Sequence, residues 1–338
     1  MTRHGLAALV GLGVLAGCGG NHGTSSPAAP SPTIEPPLAQ TLVFTQSPID
    51  VAAIEFVVPL GNLNPPGHTL PTDHVYFYHR LRNPSAPIYD VVAPAGGIVR
   101  EARRGNDDVV RVQVTASATY YLGHVKLDPS IQQGMSIAAG QKLGTTSTLS
   151  YGLDVGLVNN DRTLSFANPA RYGDDTRNAD SALRYFADPV RGALYAKVTR
   201  RGSDLDGRID FDVDGRLAGN WFLDGLPVEQ SSILDAGPKQ LAFVRDVEDP
   251  GAVRISIGGT LGVQGVFAVP PTASDPVDVS PASGRVAYVL YVGGPGSGPA
   301  AGLLIVEMTD PETLRAEVFA GSQRSDAAFT SSARIYRR

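Results

Sequence analysis

The chain has 338 residues with a net charge of −5, from 28 Lys+Arg against 33 Asp+Glu. Length suggests about two domains. The acidic balance excludes a nucleic-acid binder that works by neutralising phosphates. Hydrophobic residues make up 42% and charged residues 18%, enough for a packed core. Gly (38) and Pro (26) together are about a fifth of the chain, which favours short strands and turns over long helices. A single cysteine excludes an internal disulfide framework and any Cys-rich metal site.

The chain begins with Met1-Thr2-Arg3-His4, followed by an apolar run over 5–15 and then Ala16-Gly17-Cys18. That run is too short to span a bilayer as a permanent helix and has the length of a signal-peptide core. Leu15-Ala16-Gly17-Cys18 resembles the lipobox of bacterial lipoproteins. The resemblance implies removal of 1–17 as a signal peptide, acylation of Cys18 and a durable lipid anchor. Residues 18–39 are small, polar and Pro-rich and read as a tether. Gly19 after the cysteine lacks the Asp that lipoprotein rules link to inner-membrane retention, which weakly favours the outer membrane where a cell has two.

Residues 40–173 read as a first folded domain made of strands. Stretches 50–60 (DVAAIEFVVPL) and 74–80 (HVYFYHR) are rich in β-branched and aromatic residues. Further strands are expected at 91–99, 109–115, 119–124, within 135–144, and at 153–158. The first domain shows no long amphipathic pattern, so it is expected to be all-β.

Three stretches together resemble the lysostaphin/LytM-type zinc metallopeptidases. They are Val91-Val92-Ala93-Pro94-Ala95-Gly96-Gly97-Ile98-Val99, Tyr121-Leu122-Gly123-His124 and the Gly-punctuated 133–144. The resemblance implies a β-sandwich-like sheet with a groove, and a zinc site that cuts peptidoglycan peptides. The family's H-x-x-x-D falls on His74 and Tyr78, so its carboxylate ligand is replaced by a phenol. Its H-x-H falls on Gly152-Leu153-Asp154. Glycine thus stands at an acid/base position and aspartate at a metal-ligand position. His124 matches the other active-site histidine, one residue further from its tyrosine than usual.

Aspartate is an accepted zinc ligand, whereas a phenol near its ordinary pKa of about 10 is neutral at pH 7. His74 and Asp154 are therefore the candidate ligands, His124 and Gly152 the vestigial catalytic positions, and Tyr78 and His124 groove-lining. His68 and Asp73 offer a weaker alternative, if His68 folds back over His74. The simpler expectation there is a Pro-bounded loop in which Asp73 accepts backbone hydrogen bonds. His79 alternates to the opposite strand face from His74.

Residues 174–187 (DDTRNADSALRYFA) are the best helix candidate and are expected, within 174–190, to bridge the domains. Residues 191–338 are expected to form an antiparallel β-barrel or sandwich. Its strands fall near 193–200, 207–213, 216–223, 240–247, 252–257, 260–269, 285–292, 302–308, 313–319 and 333–337, with turns at Asp214-Gly215 and 310–312. Asp210, Asp212, Asp214 and Gly215 match half of a calcium loop, but position twelve is Trp221 rather than Glu. The simpler reading is a strand with Ile209, Phe211 and Val213 inward and the aspartates outward. Gly219-Asn220-Trp221 resembles the lipocalin G-x-W and hints at a small barrel with Trp221 as a core plug. Loops 270–283 and 293–299 are expected at one rim.

Three functions follow. The first is an envelope lipoprotein with a degenerate peptidase-like groove that binds peptidoglycan or a protein partner, without catalysis and without a cofactor. The second is a zinc peptidoglycan endopeptidase with an altered ligand set. The third is a carrier that holds an apolar ligand in the barrel.

Overall fold

A computed structural model describes residues 37–231, 234–294, 299–321 and 326–338. The expected signal peptide, Cys18 and most of the expected tether lie outside the described residues, as do 295–298 of the Gly-rich loop.

The first sheet has nine strands: β1 (Phe56–Val58), β2 (His74–Tyr78), β3 (Asp90–Val92), β4 (Gly97–Arg103), β5 (Asp108–Gln113), β6 (Ala118–Leu127), β7 (Ser136–Ile137), β8 (Lys142–Thr146) and β9 (Gly152–Asn159). The order is β1-β2-β9-β6-β5-β4-β7, with β8 joining β6 to β3. The period-two pattern of His74-Val75-Tyr76-Phe77-Tyr78 sorts the faces. Val75 and Phe77 are fully buried with Leu153, Val155, Leu157, Tyr120 and Leu122, under Phe44, Leu183 and Phe186. His74, Tyr76 and Tyr78 therefore stand on the other face.

Strand β6 bends in the middle. Residues 118–123 pair with β9, whereas 125–127 pair with β8. The register against β5 shifts at the same place, so His124 is the extra residue of a bulge. It is the only non-glycine residue among those described with a positive φ, at 60°. The bulge explains the long spacing from Tyr121. On a regular strand, residues three apart point to opposite faces; the inserted residue returns His124 to the face of Tyr121.

The second sheet has eight antiparallel strands: β10 (Gly219–Leu223), β11 (Gln240–Arg245), β12 (Val253–Ile257), β13 (Gly265–Ala268), β14 (Val286–Leu290), β15 (Gly302–Asp310), β16 (Thr313–Ala320) and β17 (Arg334–Arg337). Their order is β13-β12-β11-β10-β17-β16-β15-β14. Paired bonds between Ala268 and Tyr291, 2.9 and 3.0 Å, join the two ends, so the sheet comes close to a closed up-and-down barrel. The all-β expectation holds. Trp221, Phe243, Ile255, Tyr288, Leu304 and Tyr336 fill the centre, all fully buried. The Arg338 guanidinium lies 4.2 Å over the Trp221 ring and donates to the carbonyls of Val213, Arg216, Leu217 and Ala218.

Four expectations are corrected. Residues 174–187 do not form one helix: α1 (Asp174–Arg177) is a single turn, a 3₁₀ turn covers Ala182–Tyr185, and α2 (Val190–Tyr195) follows. The intervening backbone instead bonds to β9, through Asn159 N–H to Asn178 and Asp180 N–H to Leu157. Residues 193–200 begin inside α2 rather than forming a strand. Residues 207–213 form no strand, and their aspartates do not all face outward: Asp212 accepts the backbone N–H of Ala167 (2.9 Å) and Asn220 (2.8 Å). Carboxylates that capture backbone donors in this way compete with a ladder. Residues 50–60 yield only β1, because Asp50 caps a 3₁₀ turn at Val51–Ala53.

Both sheets belong to one compact unit. Backbones meet where only glycine fits: a Cβ on Gly237 would lie 1.8 Å from the Pro66 carbonyl. Thr69 Oγ1 donates to the Gly237 carbonyl at 2.7 Å and Arg171 to Ser231 Oγ at 2.7 Å, tying the sheets together.

Candidate functional site

Strands β2, β9 and β6 lie side by side, and their register assembles the site. Tyr76 pairs with Asp154, His74 and Tyr121 both with Gly156, and Gly123 with Asp154. His74, Asp154 and His124 thus share one face. Asp154 Oδ2 lies 3.5 Å from His74 Nε2 and 3.3 Å from His124 Nε2. The three positions singled out from the sequence do come together.

Each imidazole is held from behind by its own carboxylate. His74 Nδ1 lies 3.1 Å from Asp73 Oδ1, and His124 Nδ1 lies 2.5 Å from Asp107 Oδ2. Asp73 also accepts from Tyr121 Oη (2.9 Å) and Thr176 Oγ1 (2.7 Å). This corrects the expectation that Asp73 serves backbone N–H groups. Burial alone pushes the Asp73 carboxyl up. The bond and charge of His74, with Thr176 and Tyr121, outweigh it and hold the carboxyl well below its ordinary value. An ionised Asp73 can only accept, so His74 Nδ1 carries the proton. Burial pulls the His74 imidazole down, while Asp154 and Asp73 pull it up further, and the net direction is up.

His68 does fold back over His74, with ring centroids 5.5 Å apart. Burial lowers its pKa, and His74 lowers it further. His79 lies on the opposite face, against Tyr89. Tyr78 stacks between Phe56 (4.8 Å) and Tyr76 (5.8 Å). Burial, and then Asp154, push its phenol up, so it is neutral at pH 7. A Cβ on Gly152 would lie 3.3 Å from Tyr78 Cδ1, so the glycine leaves room for that ring.

This donor set does not fit the zinc ion that the family resemblance implies. Zinc takes charged or imidazole donors about 2 Å away. Tyr78 offers a neutral phenol packed in an aromatic stack. Among the described residues, no three His, Cys, Asp or Glu side chains form a group that could hold a metal ion. Asp154 lies between the two imidazoles, and His74 Nε2 and Asp154 Oδ1 are buried without a hydrogen-bond partner. Gly152 has no side chain with which to move a proton opposite His124. The arrangement can bind donors and cationic groups at Asp154 and present aromatic faces beside it.

Sequence reasoning missed Asp107 and Thr176. Asp107 sits in the β4–β5 turn and Thr176 in α1, far from every motif, and no sequence signal marks either. Arg111, 4.6 Å over the Tyr121 ring and bonded to Asp175, was also missed.

No protein-family model matches the chain, and no curated protein matches it. Similar solved structures exist. Csd3 of Helicobacter pylori aligns at 16% identity over 36% of this chain and 33% of its own, TM-score 0.28. A zinc-containing peptidase from Vibrio cholerae aligns at 16% over 36% and 38%, TM-score 0.29. A SpoIIQ–SpoIIIAH pore-forming complex aligns at 14% over 45% and 96%, TM-score 0.32. The chain spans well under half of the first two.

Proposed function

We propose that this chain is a lipid-anchored envelope protein whose peptidase-like cleft binds without cutting. The acyl groups on Cys18 hold it to the membrane, at the outer membrane where there are two, and the tether carries the folded part toward the wall. The cleft takes peptidoglycan or an envelope protein partner. One observation carries this reading: the cleft keeps His74, His124 and Asp154 together, while Tyr78 and Gly152 stand where a ligand and a proton carrier would be needed. The packed barrel centre argues against the carrier reading.

The test is sedimentation of the purified full chain with isolated sacculi, together with assay of the supernatant for released muropeptides. The reading expects retention with no release. Release that is abolished by His74→Ala would establish the endopeptidase instead.

A further inference from the structure

Two loops leave the first sheet side by side where Tyr78 pairs with Gly152: 79–89 after β2 and 147–151 before β9. Their feet are tied. The Tyr151 carbonyl accepts the backbone N–H of His79 and of Arg80, both at 3.1 Å, and Thr146 N–H donates to the Tyr89 carbonyl at 2.9 Å. The loops expose Leu81 (46%), Ile88 (52%), Leu149 (72%) and Tyr151 (53%). The other exposed large apolar side chains among the described residues are all valines, none of them in these loops. A cluster of large apolar side chains on a surface marks a contact site, where single ones need no explanation. The loops also carry two arginines and no carboxylate. Arg80 donates to the Pro84 carbonyl at 2.7 Å and braces the longer loop. Arg82 is exposed, with its guanidinium 4.7 Å over the Phe56 ring. Neighbouring carboxylates are engaged: Glu55 accepts the backbone N–H of Arg82 (2.8 Å) and Asn83 (3.1 Å), and Asp90 pairs with Lys142 at 2.6 Å.

Apolar tips beside cationic groups suit the headgroup layer of an anionic bilayer. Leucine and isoleucine enter the acyl boundary, the tyrosine phenol stays at the interface, and the guanidinium meets phosphate. We propose that loops 79–89 and 147–151 form a lipid-docking surface that seats this end of the cleft on an anionic membrane. The chain has the reach for it. Ala39 N–H donates to the Val114 carbonyl beside Ala118, which pairs with Asn159 at the far end of β9. The eight residues of β9 cover about 26 Å, whereas residues 18–36 span at most about 65 Å. The inference rests on the proposed anchor for a membrane being near, while the chemistry of the loops is independent of Cys18. Four side chains dock weakly and reversibly, so on release the tether still lets the cleft reach the wall.

The test is fluorescence quenching by lipids brominated in their acyl chains. Leu149→Trp puts a reporter at the most exposed of the four positions, and Trp221, the sole native tryptophan, stays buried as a constant background. The full chain and its Cys18→Ser variant, both with the reporter, are mixed with vesicles of brominated phosphatidylglycerol, and flotation scores attachment separately. The reporter should be quenched in both. In the Cys18→Ser chain, brominated phosphatidylcholine should quench far less. There Arg82→Gln should raise the lipid needed for half-maximal quenching about fivefold and Ile88→Ser about tenfold, with the melting temperature unchanged. Equal quenching of the Cys18→Ser chain by the two lipids would overturn the inference. So would no quenching by either, which leaves the loops to a protein partner or a second copy. Flotation of the full chain without quenching keeps the anchor and removes the docking surface; quenching with flotation unaffected by Cys18→Ser does the reverse.

Discussion

The Tyr121 ring lies directly over Gly156: a Cβ built on Gly156 would come within 2.0 Å of Tyr121 Cζ. Both sit on the cleft face, and the ring so placed brings Tyr121 Oη to Asp73, which holds His74. The glycine thus positions the cleft indirectly. Gly156→Ala should displace the ring and lower stability by about 1–3 kcal/mol, the usual range for overpacking. Thermal melts check it. In a Tyr121→Ala background the same substitution should cost much less, because the clashing ring is gone.

Tyr78 and Gly152 form one packing solution. Gly152→His on its own forces a side chain against Tyr78 Cδ1 and should destabilise the chain. Combined with Tyr78→Asp the loss should shrink, giving a coupling of about 1 kcal/mol or more. Denaturant unfolding of the two single variants and the double variant measures it. Additive effects would mean that Tyr78 and Gly152 do not depend on each other.

His79 sets an acid limit. Its ring is buried with neither nitrogen partnered, and burial, then Arg80, lower its pKa to about 4. A depressed histidine contributes stability that is fully present above the unfolded value near 6.5 and is lost as pH falls toward 4. His79→Phe keeps the apolar contact with Tyr89 and removes the proton site. It should flatten the decline of melting temperature between pH 6.5 and 4, leaving the carboxylates to act below that. An unchanged acid limb would place the sensitivity elsewhere.

Arg338 closes the barrel over Trp221 and supplies donors to a ring of backbone carbonyls. Arg338→Ala leaves several buried acceptors unpaired and should cost about 2–4 kcal/mol. Lysine in its place should recover only part of this, since it lacks the planar fork. The intrinsic fluorescence of Trp221, the sole tryptophan, follows the unfolding directly.

Much of this was legible in the sequence because alternation and turn chemistry are local. His74-Val75-Tyr76-Phe77-Tyr78 declares its two faces by period alone, and eight of the ten expected barrel strands lie near the observed ones. The pairing of His74, His124 and Asp154 was legible only through the order of the Gly-rich motifs. The helix expected at 174–187 failed because β9 takes backbone partners from 178–180, a tertiary demand that local propensity does not record. The strand at 207–213 failed for a similar reason: Asp212 was given to donors on two distant segments. Asp107 and Thr176 reach the site from separate elements, and no spacing along the chain marks them.

Whether the cleft holds a metal is decided by the zinc content of the purified full chain after equilibration with micromolar zinc and removal of the free ion. Less than about 0.1 zinc per chain is expected, because a neutral phenol at Tyr78 stands where the resemblance puts a carboxylate ligand. About one zinc per chain, lost on His74→Ala, would contradict it.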